Sequence, residues 1–133
     1  MSSRIGIVNY GVGNIRSVAN ALNAIGVKPV ISAERGELAS CERLILPGVG
    51  AFAHGMSALQ ERDLVGFLRD QASEGKPLLG ICLGMQLLTA FSTEFGYTEG
   101  LGLIEGGVDK MRAPGDTDVD FRLPNVGWLE LVQ

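Results

Sequence analysis

Four short apolar runs constrain the fold of this chain more than any other feature: Ile5-Gly6-Ile7-Val8, Pro29-Val30-Ile31, Leu44-Ile45-Leu46 and Leu78-Leu79-Gly80-Ile81. None alternates polar with apolar residues. Each therefore predicts a strand buried on both faces, as in a parallel sheet covered by helices. The intervening segments carry helical periodicity. Ile15, Val18, Ala19, Leu22 and Ile25 share one face, with Asn14 as N-cap and Gly26 as the stop. A second helix is expected over residues 64–72 with Leu64, Phe67 and Leu68 inward, and a third from near Gly84 burying Met85, Leu88 and Phe91. Repeated strand–helix–strand units imply right-handed crossovers, hence an α/β fold with an open, mostly parallel, doubly wound sheet of the flavodoxin-like kind. At 133 residues the chain suits one domain, residues 1–133, and not two.

The pattern changes after Phe91. Glycines at 96, 100, 102, 106 and 107 divide the chain into short pieces. Val108 to Arg112 is expected to be a strand and Pro114 to Asp120 a polar loop. Trp128 to Gln133 again resembles a strand, with no turn or cap after it. The expectation is the N-terminal portion of a longer domain whose C-terminal part is missing. Such a piece would leave sheet edge and apolar surface uncovered.

Charge excludes some functions. With 11 basic and 15 acidic side chains the formal charge is −4, which gives neither nucleic acid nor an anionic membrane a reason to bind. No apolar run approaches the roughly 20 residues that span a bilayer. The four residues before Ile5 are too few for the leading part of a signal peptide. Two cysteines, Cys41 and Cys82, make no disulfide framework, so a reducing, cytoplasmic setting is expected.

In an open parallel sheet, chemistry gathers where the strands end. Gly80-Ile81-Cys82-Leu83-Gly84 follows the fourth strand and has the pattern of a nucleophile elbow with cysteine in place of serine. The flanking glycines suit a sharp turn, and amides at the start of the next helix favour a thiolate. The plainer alternative is a small core cysteine between two glycines. Pro47-Gly48-Val49-Gly50 follows the third strand. An acyl-transfer site needs two amide donors, one from the residue after the nucleophile, here Leu83, and one from a neighbouring loop, here Val49 or Gly50. The alternative is a tight turn that needs glycine only for its dihedrals. Gly11-x-Gly13 lacks the third glycine of a dinucleotide fingerprint, and no P-loop pattern occurs. His54 is the single histidine; it reads as a solvent-facing helical residue and not as the base for Cys82. One histidine and two separated cysteines make no metal-ligand set.

Together these loops resemble the class I (triad) glutamine amidotransferases, and within them the glutaminase subunits of imidazole glycerol phosphate synthase. The class-wide part is Gly80 to Leu88. The narrower part is Tyr10-Gly11-Val12-Gly13-Asn14-Ile15-Arg16-Ser17-Val18, Pro47 to Phe52, Gly100-Leu101-Gly102-Leu103-Ile104 and Leu123-Pro124-Asn125-Val126-Gly127-Trp128. The resemblance implies hydrolysis of glutamine to glutamate and ammonia through a Cys82 thioester. It puts Leu83 and the Val49-Gly50 turn in the oxyanion hole, and Gln86, Glu94 and Gly50 at the glutamine. Ammonia would pass to a (β/α)₈-barrel cyclase in histidine biosynthesis, with Asn14, Arg16, Asn125 and Trp128 on the partner-facing side. No cofactor or metal is expected. Two departures stand out. The family's His-x-Glu pair does not occur in these residues, so the chain alone is expected to be inactive. Asn125 and Leu129 replace the usual histidine and asparagine, which touches partner specificity. The alternatives are a non-catalytic partner-binding subunit of the same fold, a class I glutaminase serving an anthranilate or guanylate synthase, and a flavodoxin-like domain binding a small anion at Gly11–Asn14.

Overall fold

The computed structural model describes residues 3–112, 115, 127, 128 and 130–132. Its first half is built as the apolar runs predict. β1 (Ile5–Val8), β2 (Val30–Ser32), β3 (Arg43–Leu46) and β4 (Leu78–Gly80) form one sheet in the order β2-β1-β3-β4, with every pair parallel. The order reverses at β1. Right-handed crossovers then put α1 (Ile15–Ala24), which links β1 to β2, on the face opposite α2 (Arg35–Ala39), which links β2 to β3. α3 (Phe52–Gln60), α4 (Leu64–Ser73) and the short α5 (Leu83–Leu87) complete the α2 side.

Helix boundaries follow local chemistry. The Asn14 side chain accepts from the Ser17 amide at 3.2 Å and caps α1, as expected. α4 begins at Leu64, with Leu64 and Leu68 fully buried and Phe67 packed against them.

Strand register explains what is covered. On the α2 side, Leu44 pairs with Leu78 and Gly6, and Val8 and Leu46 follow; these pack with Leu38, Phe52, Leu59, Leu64, Leu68, Leu83 and Leu87 into the core. On the opposite face, Ile31, Ile7, Ile45 and Leu79 line up across the four strands as one row. The middle of that row is buried, but its ends are open: Ile31 is 46% and Leu79 57% exposed. The expectation of strands buried on both faces therefore fails at both edges, because on this side α1 is the sole helix among the described residues. Beside it lies a groove of about 340 Å³ lined by Ile5, Leu22, Ile45, Pro77, Leu78 and Leu79.

Purified as these 133 residues, the chain is expected to self-associate through that row and the edge of β4, which pairs with no further strand among the described residues. Light scattering checks this, and a monodisperse monomer would count against it.

The second half departs further from expectation. The third helix ends at Leu87 and leaves Met85 about half exposed, and Phe91 lies in a strand. β5 (Thr89–Ser92) pairs antiparallel with β6 (Thr98–Glu99) and parallel with β7 (Ile104–Val108), forming a second, three-stranded sheet. Its cause is tertiary. The Phe91 ring stacks on Tyr97 with centroids 5.6 Å apart and fills the space above Gly107, where a Cβ would lie 2.5 Å from the ring. β7 occupies residues 104–108, so the strand expected at Val108–Arg112 is displaced toward the N-terminus. Residues 128 and 130–132 belong to no strand, and the loop expected at 114–120 falls, except for Gly115, outside the described residues.

The Gly100-Leu101-Gly102-Leu103 segment wraps the end of α5. The amides of Leu101 and Leu103 donate to the Leu87 and Leu88 carbonyls at 2.9 and 2.8 Å, and that of Gly102 to Thr89 at 3.0 Å. It thereby satisfies carbonyls that a five-residue helix leaves without partners. Arg69 on α4 fastens this segment from outside, donating to the carbonyls of Gly100 and Leu101, both at 2.9 Å. Nothing in the sequence marks Arg69, since an arginine on a helix reads as solvated surface.

Candidate active site

Because β1, β3 and β4 are adjacent, the loops at their carboxyl ends meet. Cys82 leaves β4 at φ 54° and ψ −118° and caps the N-terminus of α5. A non-glycine residue in that region is strained by about 1–3 kcal/mol, and such strain persists only where surrounding structure enforces it. The enforcement is visible. A Cβ on Gly84 would fall on the Leu46 carbonyl oxygen, and one on Gly80 would lie 2.5 Å from the Met85 Cα. The Ile81 amide donates to that same Leu46 carbonyl at 3.0 Å, and the Gly84 amide turns back to Ile81 at 2.9 Å. The turn is thus closed by backbone on both sides, and the thiol is left exposed at its tip. The alternative of a core cysteine applies instead to Cys41, which is buried with its sulfur 3.4 Å from the Glu37 carbonyl.

The loop after β3 presses against this elbow. A Cβ on Gly48 would lie 2.8 Å from the Gly84 amide nitrogen and 2.9 Å from the Leu83 Cβ. The loop after β1 joins them: a Cβ on Gly13 would lie 3.1 Å from the Gly48 nitrogen. Tyr10, fully buried, donates its hydroxyl to the Pro47 carbonyl at 2.6 Å. Burial pushes its phenol up to about 12, so it remains a neutral donor throughout the physiological range. Past that anchor, Val49 and Gly50 are exposed. Among the described residues, neither of their amides nor that of Leu83 donates to any backbone carbonyl. N–H groups without backbone partners among the described residues, on two touching loops beside an exposed thiol, can donate to a developing oxyanion.

A family model described as glutamine amidotransferase class-I matches residues 7–125. The chain belongs to that family. Among curated proteins it is 46% identical over 127 residues to the imidazole glycerol phosphate synthase subunit HisH of Bacillus cereus, covering 96% of this chain and 58% of that one. It is 47% identical to the subunits of the same name from Exiguobacterium sibiricum and Geobacillus thermodenitrificans, again over 96% of this chain and over 62% and 60% of theirs. The chain thus spans about three fifths of the length of these relatives. A crystal structure of a glutamine amidotransferase superposes with a TM-score of 0.69 at 24% identity, covering 79% of this chain and 55% of that one, and so shares the fold.

Other residues singled out in this amidotransferase sequence are dispersed. Gln86 is half-buried on the first turn after Cys82, its amide donating to the Cys82 carbonyl at 3.2 Å. Glu94 lies between β5 and β6, where its amide donates to the buried Ser92 hydroxyl at 3.2 Å. Asn14 and Arg16 are exposed at the start of α1, and Trp128 is fully exposed. Asn125 and Leu129 lie outside the described residues. His54 is exposed on α3, and its side chain makes no hydrogen bond among the described residues. No group of three or more His, Cys, Asp or Glu side chains capable of holding a metal occurs among them either, and no helix is long and apolar enough to cross a membrane. A cleft of about 540 Å³ along α4, between Asp63, Arg69, Asp70 and Glu99, is lined by no cysteine, serine or threonine among the described residues.

Proposed function

We propose that this chain supplies the nucleophile and oxyanion hole of a cytoplasmic glutaminase, the amidotransferase subunit of an imidazole glycerol phosphate synthase. The observation that carries the reading is the exposed Cys82 thiol on a strained, backbone-locked elbow, with Leu83, Val49 and Gly50 amides that have no backbone partner among the described residues on the two loops that meet there. The Cys82 sulfur attacks the side-chain carboxamide carbon of glutamine. The oxyanion is held by the Leu83 amide and by Val49 or Gly50. Collapse expels ammonia and leaves a thioester, which water hydrolyses to glutamate. Gln86 and Glu94 hold the glutamine, the Glu94 carboxylate facing its α-ammonium group. Gly50 adds a backbone contact.

Ammonia then passes to a (β/α)₈-barrel cyclase that docks on the side bearing Asn14, Arg16, Asn125 and Trp128. Neither metal nor cofactor enters this scheme. The general base belongs, in this reading, to the part of the relatives' length that the chain does not span. His54 is left out of the mechanism by its exposed place on α3.

The test is labelling of the full-length protein with a glutamine-like chloroketone. Peptide mapping is expected to find the adduct on Cys82 and not on the buried Cys41, with glutamine protecting. Equal labelling of both cysteines, or no protection by glutamine, would overturn the assignment. A non-catalytic subunit would bind the cyclase and show no protection of Cys82 by glutamine, since exposure alone already favours labelling there over Cys41.

A further inference from the structure

Tyr10 sits fully buried below the loop that follows β3, and the mechanism above leaves it unused. Its hydroxyl donates to the Pro47 carbonyl at 2.6 Å, a contact between residues 37 apart in sequence. That carbonyl belongs to the peptide that leads into Gly48, and Gly48 has no freedom of its own. A Cβ there would lie 2.6 Å from the Tyr10 oxygen and 2.8 Å from the Gly84 nitrogen. The phenol oxygen, the Pro47–Gly48 peptide and the elbow thus form one contact. The next two amides, Val49 and Gly50, are exposed and free of backbone partners among the described residues. Their orientation is set on one side by the Pro47–Gly48 root and on the other by Ala51 and the buried Phe52, which open α3.

We infer that Tyr10 is a positioning residue of the oxyanion loop: its hydrogen bond to Pro47 sets the orientation of the peptides whose amides receive the charge of the tetrahedral intermediate. This rests on the glutaminase reading. It differs from a filling role because the ring alone would fill the space and only the hydroxyl fixes the carbonyl. Misplacement of a catalytic group by about 1 Å can cost on the order of 10²-fold in rate.

The experiment is Tyr10→Phe in the full-length protein in complex with its cyclase. Glutamine turnover is measured at saturation and below it, Cys82 alkylation is followed with iodoacetamide, and the melting midpoint is recorded. The expected result is a fall in kcat of about 10–100-fold. The KM for glutamine should change far less than kcat, since Gln86 and Glu94 hold the ground state and only the Gly50 backbone contact lies on this loop. Iodoacetamide forms no oxyanion, so alkylation should proceed at the parent rate. Unchanged kcat, or equal losses in kcat, alkylation rate and melting midpoint, would overturn the inference. A second measurement, binding of the aldehyde analogue of glutamine as its Cys82 hemithioacetal, should weaken by the same factor as kcat while glutamate binding holds. If the analogue binds undiminished, the inference also fails. A parent complex that does not hydrolyse glutamine would instead remove the glutaminase reading itself.

Discussion

Replacing Cys82 by alanine in the full-length protein, assayed with its cyclase, is expected to lower glutamine hydrolysis by a factor on the order of 10⁶, the scale on which an acyl-transfer nucleophile acts. Added ammonium salt should restore synthesis by the complex, because only the release of ammonia from glutamine needs the thiol. Stability should move differently from activity. Cys82 is exposed and contributes no core packing, yet it is held at φ 54°. Alanine keeps that strain, whereas Cys82→Gly relieves it and is expected to raise unfolding stability by about 1–3 kcal/mol. Chemical denaturation checks the second part and ammonia release the first. Parent-level ammonia release from Cys82→Ala would exclude the thioester route.

Gly84→Ala is expected to be the most damaging substitution of a single hydrogen in the described chain. The added methyl would fall on the Leu46 carbonyl oxygen and lie 3.1 Å from the Pro47 carbonyl carbon, so only backbone could yield. Yielding breaks the Ile81-to-Leu46 hydrogen bond that closes the elbow. Overpacking against side chains costs typically about 1–3 kcal/mol; against fixed backbone the loss should exceed about 3 kcal/mol. Gly66→Ala is the control. Position 66 lies inside α4 with nothing within 4 Å of the new methyl, so that variant should gain roughly 0.5–1 kcal/mol from helix propensity. Denaturation midpoints of the two variants should move in opposite directions. A Gly84→Ala protein of parent stability would contradict the packing described.

The four parallel strands, α1 and α4 were legible because each is specified locally: buried runs of β-formers, the Asn14 cap, and apolar residues Leu64, Phe67 and Leu68 on one face. The elbow was equally legible, since its two glycines serve close approach within five residues. The region after Leu87 was not. Met85, Leu88 and Phe91 are spaced by three and fit a helix, yet Phe91 is claimed by Tyr97 and by the space above Gly107, neither of which local periodicity reports. The edges of the first sheet misled for a related reason: Leu79 and Ile31 have the character of buried strand residues, and burial depends on what lies across the sheet. Tyr10 and Arg69 act through carbonyls 37 and 32 residues away, and no motif encodes such a contact.

The separation of these contacts bears on when the site comes into being during folding. Tyr10, Pro47 and Leu83 lie on three strand-end loops that become neighbours only after β1, β3 and β4 have paired in parallel, a slow class of long-range contact. Helices α1 and α4 have the local signals to form earlier. A partly folded chain carrying them would have a thiol but no locked elbow and no fixed amides. Acyl transfer, unlike simple alkylation of the thiol, is therefore withheld from nascent and misassembled chains until the step that completes the sheet.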